Sequence, residues 1–246
     1  MKSNGKINGM ADEARFKMNE VDIIETSYDD FDLIGDNHIH SGIETPLNSK
    51  AFEIKDSDKL EIIEGHFKEI MNTMGLDLND DSLQGTPRRV AKMFVKEIFS
   101  GLNPENKPAI SLFDNKFKYG QMLVEKNIRV QSTCEHHFLP IFGRAHVAYL
   151  SSGKVIGLSK INRIVDYYAR RPQVQERMTV QIANELKNIL DTEDVAVIVE
   201  AKHLCVASRG IEDDSSTTLT AEYFGKFREE KTKEEFLKYI SLDLNL

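Results

Sequence analysis

The chain has only 2 cysteines, and each stands beside a histidine. The first lies in Ser132-Thr133-Cys134-Glu135-His136-His137, the second in Lys202-His203-Leu204-Cys205. Read together they give C-x-x-H and a distant H-x-C. A thiolate and an imidazole three residues apart can reach one ion from a tight turn, and a remote strand can bring the second thiolate. Two neighbouring strand ends can converge on one ion in this way. Closed structural zinc sites use four protein ligands, whereas catalytic sites keep one position open for water. Two cysteines and one histidine therefore point to a working metal and a hydrolytic enzyme. Two plainer readings stand beside this one. The cysteines can be unrelated buried thiols, or a disulfide, which is rare in the cytosol.

Charge is unevenly spread. The net charge is −8, and residues 1–55 carry 11 acidic and 6 basic side chains. That stretch includes Asp29-Asp30-Phe31-Asp32, shows no sustained periodicity, and reads as a flexible acidic N-terminal tail. His38 and His40 lie in it; their spacing could hold a metal, but they are expected to be solvated. An acidic balance argues against a nucleic-acid partner, which would call for a broad basic excess. No apolar run is long enough to span a bilayer, and Met1 to Gly5 lead into no hydrophobic signal segment. The expected location is the cytoplasm, with no membrane partner.

Regular structure is expected from Asp58, which with Glu61 resembles a capping box. Leu60, Ile63, Phe67, Ile70, Met71 and Met74 follow at helical spacing, and Gly75 is a stop. Thr86-Pro87 reads as N-cap and first residue of a second helix, with Val90, Met93, Phe94 and Ile98 as its stripe and Gly101 as its end. Residues 56–110 thus form a helical region. From 111 to 246 the pattern changes. Strands are predicted over 122–132, 141–150 and 155–158, then a helix capped by Ser159 and interrupted at Pro172. A further helix covers 174–190, strands cover 194–203 and 217–223, and a short helix covers 233–240. Strands that follow one another without helical crossovers imply an α+β fold with an antiparallel sheet.

Several polar positions stand out within this frame. His136 and His203 flank the candidate ligands and can move protons beside a metal-activated water; His136 in place of His137 as ligand remains open. Ser159-Lys160-Ile161-Asn162-Arg163 opens a helix, where backbone N–H groups favour an anion. Lys160 and Arg163 share a face there, as solvated helix residues also do. Glu176, beside Gln175 near the next helix start, is either a carboxylate for a guanine-like edge or simply solvated.

Taken together, these segments resemble the GTP cyclohydrolase I family. The resemblance rests on Cys134-Glu135-His136-His137-Phe138, on Val155 to Val165, and on Arg171-Pro172-Gln173-Val174-Gln175-Glu176-Arg177. It extends to Thr86 through Met93 and to His203 through Gly210, and covers roughly 57–246. It implies the tunnelling fold, an antiparallel sheet backed by helices that closes a β-barrel on oligomerisation, with N-terminal helices. Family members are homo-oligomers, typically decamers of two pentamers, with active sites between subunits. By position, Zn2+ falls to Cys134, His137 and Cys205, and proton transfer to His136 and His203. Glu176 and Gln175 fall in the guanine pocket. Lys160, Arg163, Arg209 and Arg89 fall to the triphosphate, and Ser159 to the ribose. The implied reaction takes GTP to 7,8-dihydroneopterin triphosphate and formate, the entry to folate or pterin synthesis. Two alternatives remain: another tunnelling-fold enzyme of pterins or deazapurines, or a non-catalytic, zinc-stabilised nucleotide sensor.

Overall fold

The computed structural model describes residues 42–242. The expectations for the acidic stretch up to residue 41, including His38 and His40, lie outside the described residues. Residues 42–55 contain turns and bends but no helix or strand.

Helix α1 spans Asp56–Thr73. It begins two residues before Asp58, with Lys55 at the N-cap position and no side-chain cap, so the expected capping box does not form. Asp58 instead accepts a hydrogen bond from the Ser57 hydroxyl. The end is as expected. Gly75 adopts φ +80°, its N–H reaches the Asn72 carbonyl, and the Leu76 N–H reaches that of Met71. This paired closure needs a left-handed residue, which glycine supplies without a Cβ penalty. Met71 is buried, while Ile70 and Met74 of the expected stripe stand exposed.

Helix α2, Thr86–Met93, is capped by Gly85 rather than Thr86 and runs on into one wide π turn, Phe94–Ile98. The turn after it brings Gly101 onto a later helix. The Gly101 N–H donates to the Arg170 carbonyl, and a Cβ there would lie 2.0 Å from the Tyr167 carbonyl oxygen. Gly101 is thus a packing residue rather than a helix stop.

The remaining elements are β1 (Leu112–Asp114), β2 (Leu123–Cys134), β3 (Pro140–Tyr149), β4 (Lys154–Ile156), α3 (Leu158–Ala169), β5 (Pro172–Gln173), α4 (Gln175–Leu190), β6 (Val195–His203), α5 (Leu204–Ala207), β7 (Thr218–Tyr223) and α6 (Glu230–Ser241). Ser159 is not the cap of α3; Gly157 holds that position. Pro172 does more than interrupt a helix, since β5 pairs in parallel with the end of β2, Thr133 to Pro172 and Cys134 to Gln173. The main sheet has the order β5-β2-β3-β6-β7, antiparallel from β2 to β7, and β1 pairs with β4 in a separate ribbon. The fold is α+β with an antiparallel sheet backed by helices.

Helices α3 and α4 cover one face of the sheet. Ile161, Ile164 and Val165 of α3, with Met178, Ile182 and Leu186 of α4, pack with Val130, Ile141, Val147, Val197 and Val199. Each such side chain, removed from water, contributes roughly 1.5–3 kcal/mol. On the other face Phe227 and Phe236 cover Met122, Ala148, Ala196 and Ile198. A bulge between Glu125 and Ile128 bends β2; Asn127 there has φ +59°, and its N–H donates to His146 Nδ1 at 3.4 Å. Among the described residues no helix is long and apolar enough to cross a membrane.

Candidate active site

Strand β2 ends at Cys134, and a tight turn leads to β3 at Pro140. The turn is closed by Phe138 N–H to the Cys134 carbonyl at 2.9 Å and by Cys134 N–H to the Leu139 carbonyl at 2.8 Å. Phe138 takes φ +54° and turns its ring towards the helical region, with centroids 5.3 Å from Phe99 and 6.5 Å from Phe94. On the far side of β3, β6 runs antiparallel with His203 opposite Ile141. It passes directly into α5, which carries Cys205. The C-terminal ends of β2 and β6 therefore flank the start of β3, and the two cysteines converge.

The ligand atoms of Cys134, His137 and Cys205 all lie within 4.8 Å of one another. Both cysteines are free thiols, which sets aside the disulfide reading. The cluster includes His137 and not His136; His136 instead places Nδ1 3.8 Å from the Cys134 sulfur. Burial, and then hydrogen bonding to the neighbouring Cys134, push the Cys205 thiol up to about 11. Two thiols and an imidazole crowded in this way suit a divalent cation, which would favour the thiolates that crowding now disfavours. The Arg209 guanidinium donates to His137 Nε2 at 2.6 Å. Arginine has no acceptor, so the ring nitrogen is the acceptor in this contact.

A buried ion pair anchors the turn. Glu135 pairs with Arg177 of α4, whose side chain is 5% exposed. Arg177 Nε also donates to the Gly42 carbonyl at 3.1 Å, and the Glu135 N–H donates to the Gln173 carbonyl at 3.1 Å. The metal turn is thus tied to α4, to β5 and to the first described residues. Nothing in the spacing of Glu135 and Arg177 announces this pair; Arg177 is visible in sequence only as a charged residue near the start of a helix.

The first turn of α4 brings Gln175 and Glu176 to the same end. Glu176 is exposed. Gln175 is buried, and its Oε1 lies 2.8 Å from His203 Nε2. Burial lowers the pKa of His203 below its ordinary value, and the Glu176 carboxylate partly opposes this. Cys134, His136, His137, Gln175, Glu176, His203, Cys205 and Arg209 therefore belong to one end of the sheet.

Ser159, Lys160 and Arg163 do not join them. Asn162 of the same turn donates to Glu125 at 3.2 Å, near the start of β2, and Lys160 Nζ donates to the Ala109 carbonyl at 2.7 Å. Within one chain Ser159 and Lys160 thus lie towards the opposite end of β2 from Cys134, and Arg163 follows further along α3, lining a pocket with Gly101, Tyr167 and Arg170. Arg89 is exposed on α2, where it donates to the Ser82 carbonyl and the Thr86 hydroxyl.

An α+β sheet whose strand ends gather two thiols, an imidazole and flanking histidines has, on a helix-backed antiparallel scaffold, a group that could hold a metal ion, as in a metal-dependent hydrolase. Comparison with known proteins gives the family. The GTP cyclohydrolase I family model matches residues 63–241. GTP cyclohydrolase 1 of Flavobacterium johnsoniae is 63% identical over 215 residues, 87% of this chain and 96% of that protein. GTP cyclohydrolase 1 of Aeromonas salmonicida is 52% identical over 197 residues, 80% of this chain and 89% of that protein. The Salmonella arizonae protein of the same name is 48% identical over 209 residues, 85% and 94% of the two chains. The chain belongs to the GTP cyclohydrolase I family.

Proposed function

We propose that this protein is a GTP cyclohydrolase that converts GTP to 7,8-dihydroneopterin triphosphate and formate, opening folate or pterin synthesis. The observation that carries the reading is the approach of Cys134, His137 and Cys205 to within 4.8 Å, at the end of the sheet that also holds His203 and Glu176. We take the ion to be Zn2+, which two thiolates and an imidazole suit well. Bound there, it would lower the pKa of a water and supply the nucleophile for C8 of the purine.

The protein's own groups do the rest. Glu176 accepts two N–H bonds from the guanine edge, with Gln175 in the wall behind it. Burial lowers the pKa of His203, which favours the neutral ring at rest; once protonated, it donates to N7 as the C8 bond opens. A second hydrolysis releases formate, and His136 and Ser159 assist the opening and rearrangement of the ribose. Two waters enter and one leaves at ring closure, so the net reaction consumes one. Lys160, Arg163, Arg209 and Arg89 neutralise the triphosphate.

Ser159, Lys160 and Arg163 lie across the sheet from Cys134, so they would complete the site of a neighbouring subunit. That arrangement suits a ring-forming homo-oligomer, for which we propose a decamer of two pentamers. Free thiols at both cysteines suit the cytoplasm. The test is to incubate zinc-loaded protein with GTP and follow dihydropterin absorbance and formate together. Equimolar growth of both is expected. Formate without a pterin would confine the activity to ring opening, and neither product would overturn the reading in favour of a nucleotide sensor.

A further inference from the structure

We propose that Gln175 is a positioning residue for His203. Through a hydrogen-bond chain with Thr179 and Thr220, it fixes which ring nitrogen of His203 is left for the substrate. The inference rests on the reading of His203 as the proton-transfer histidine.

The direction of every proton in this chain follows from its partners. Gln175 is the first residue of α4 and is 1% exposed. Its side-chain nitrogen lies 3.0 Å from the Val199 carbonyl of β6 and 3.0 Å from the Thr218 carbonyl of β7. Carbonyls only accept, so the NH2 of the amide must point at the two strands and its oxygen must point away. Thr179 settles the rest. Its hydroxyl donates to the Gln175 main-chain carbonyl at 2.8 Å, so its oxygen must accept from the Thr220 hydroxyl 2.7 Å away. The Thr220 oxygen is then left as an acceptor; with two amide hydrogens for three acceptors, one hydrogen already aimed at a strand carbonyl is shared with it at 3.2 Å.

At the end of the chain stands Gln175 Oε1, a pure acceptor 2.8 Å from His203 Nε2. Nε2 must therefore carry a hydrogen. Nδ1 makes no hydrogen bond among the described residues, so it is the nitrogen that can meet a ligand. The amide oxygen accepts from Nε2–H whether the ring is neutral or protonated. It can therefore hold the ring in one orientation through a full cycle of proton transfer, as the third group does behind a catalytic base. A substrate contact by the Gln175 side chain would require breaking this arrangement, since its amide is buried and fully engaged.

The experiment measures steady-state kinetics with GTP, together with metal content, for Gln175→Met, His203→Ala and the double variant of the zinc-loaded protein. Gln175→Met should lower kcat about 10- to 100-fold, the range for lost orienting partners. KM should stay within about threefold and metal content should not change. Added to His203→Ala, it should cost nothing further, since residues acting through one group are not additive. A raised KM with kcat kept would make Gln175 a substrate contact and overturn the inference. So would a full, multiplicative loss in the His203→Ala background. Wild-type turnover by His203→Ala would sink the underlying reading as well. Should Gln175→Met fail to fold, Thr220→Val and Thr220→Ser carry the test. The valine variant should lower kcat severalfold and the serine variant restore it, and a valine variant with wild-type kcat would overturn the network.

Discussion

Cys205 concentrates the chemistry of this molecule at one atom. Its thiol is pushed up to about 11 by burial and by Cys134, so a metal must displace a proton to bind there. Cys205→Ser keeps the volume but removes the soft ligand, and should lose bound zinc and formate release together; turnover with one equivalent of zinc retained would refute the ligand set. His146 makes a separate prediction. Burial lowers its pKa below 6.5; Glu200 opposes the shift and Lys126 adds to it. The unfolded chain then takes up a proton that the folded one does not, so stability should fall as pH drops below about 6.5. His146→Gln should flatten the stability curve in that window, as read by denaturant midpoints, and curves parallel to wild type would sink the idea. The cluster of Cys134, His137 and Cys205 was half legible in the sequence, because C-x-x-H is a local ligand spacing, whereas Cys205 is joined to it only by the fold. The Glu135–Arg177 pair and the Thr179–Thr220–Gln175 chain were not legible, because their partners come from remote elements and leave no period.

At the level of elements, the sequence placed most helices and strands but misjudged how they begin. Thr86 and Ser159 have the chemistry of caps, yet each sits inside its helix behind a glycine, Gly85 or Gly157. Side-chain caps compete with other uses of the same oxygen, and Thr86 Oγ1 accepts from Arg89 instead. β5 was hidden because a two-residue strand is shorter than any period. Gly101 looked like a stop because glycine usually is one at a helix end. Its purpose lies in tertiary contact, where the chain presses on the carbonyls of Tyr167 and Arg170. Gly101→Ala should therefore destabilise by about 3 kcal/mol, the upper end for overpacking, since backbone must move. An unchanged midpoint in thermal or denaturant unfolding would show that α3 can yield there.

Across the whole molecule, the separation of the metal end from Ser159, Lys160 and Arg163 has a measurable outcome. A Cys205→Ser assembly and a Lys160→Ala assembly should each be inactive. Dissociated, mixed and reassembled, they should recover activity at about one site in four, because intact halves from two subunits meet at a heterologous interface. No recovery in verified mixed assemblies would mean that one chain supplies both halves.

Residues 42–45 contain no regular element, yet they answer three interior side chains. The Gly42 carbonyl accepts from Arg177, the Ile43 carbonyl from Gln181, and the Thr45 hydroxyl from Arg171. A fragment begun at the first described helix, Asp56, would keep every helix and strand of the described residues and still strand those donors, at about 1–3 kcal/mol each. One begun at Gly42 would keep them satisfied, and the two fragments should differ clearly in melting temperature. The shortest workable version of this enzyme is thus set by where its buried donors find acceptors, some distance ahead of the first helix of the described residues.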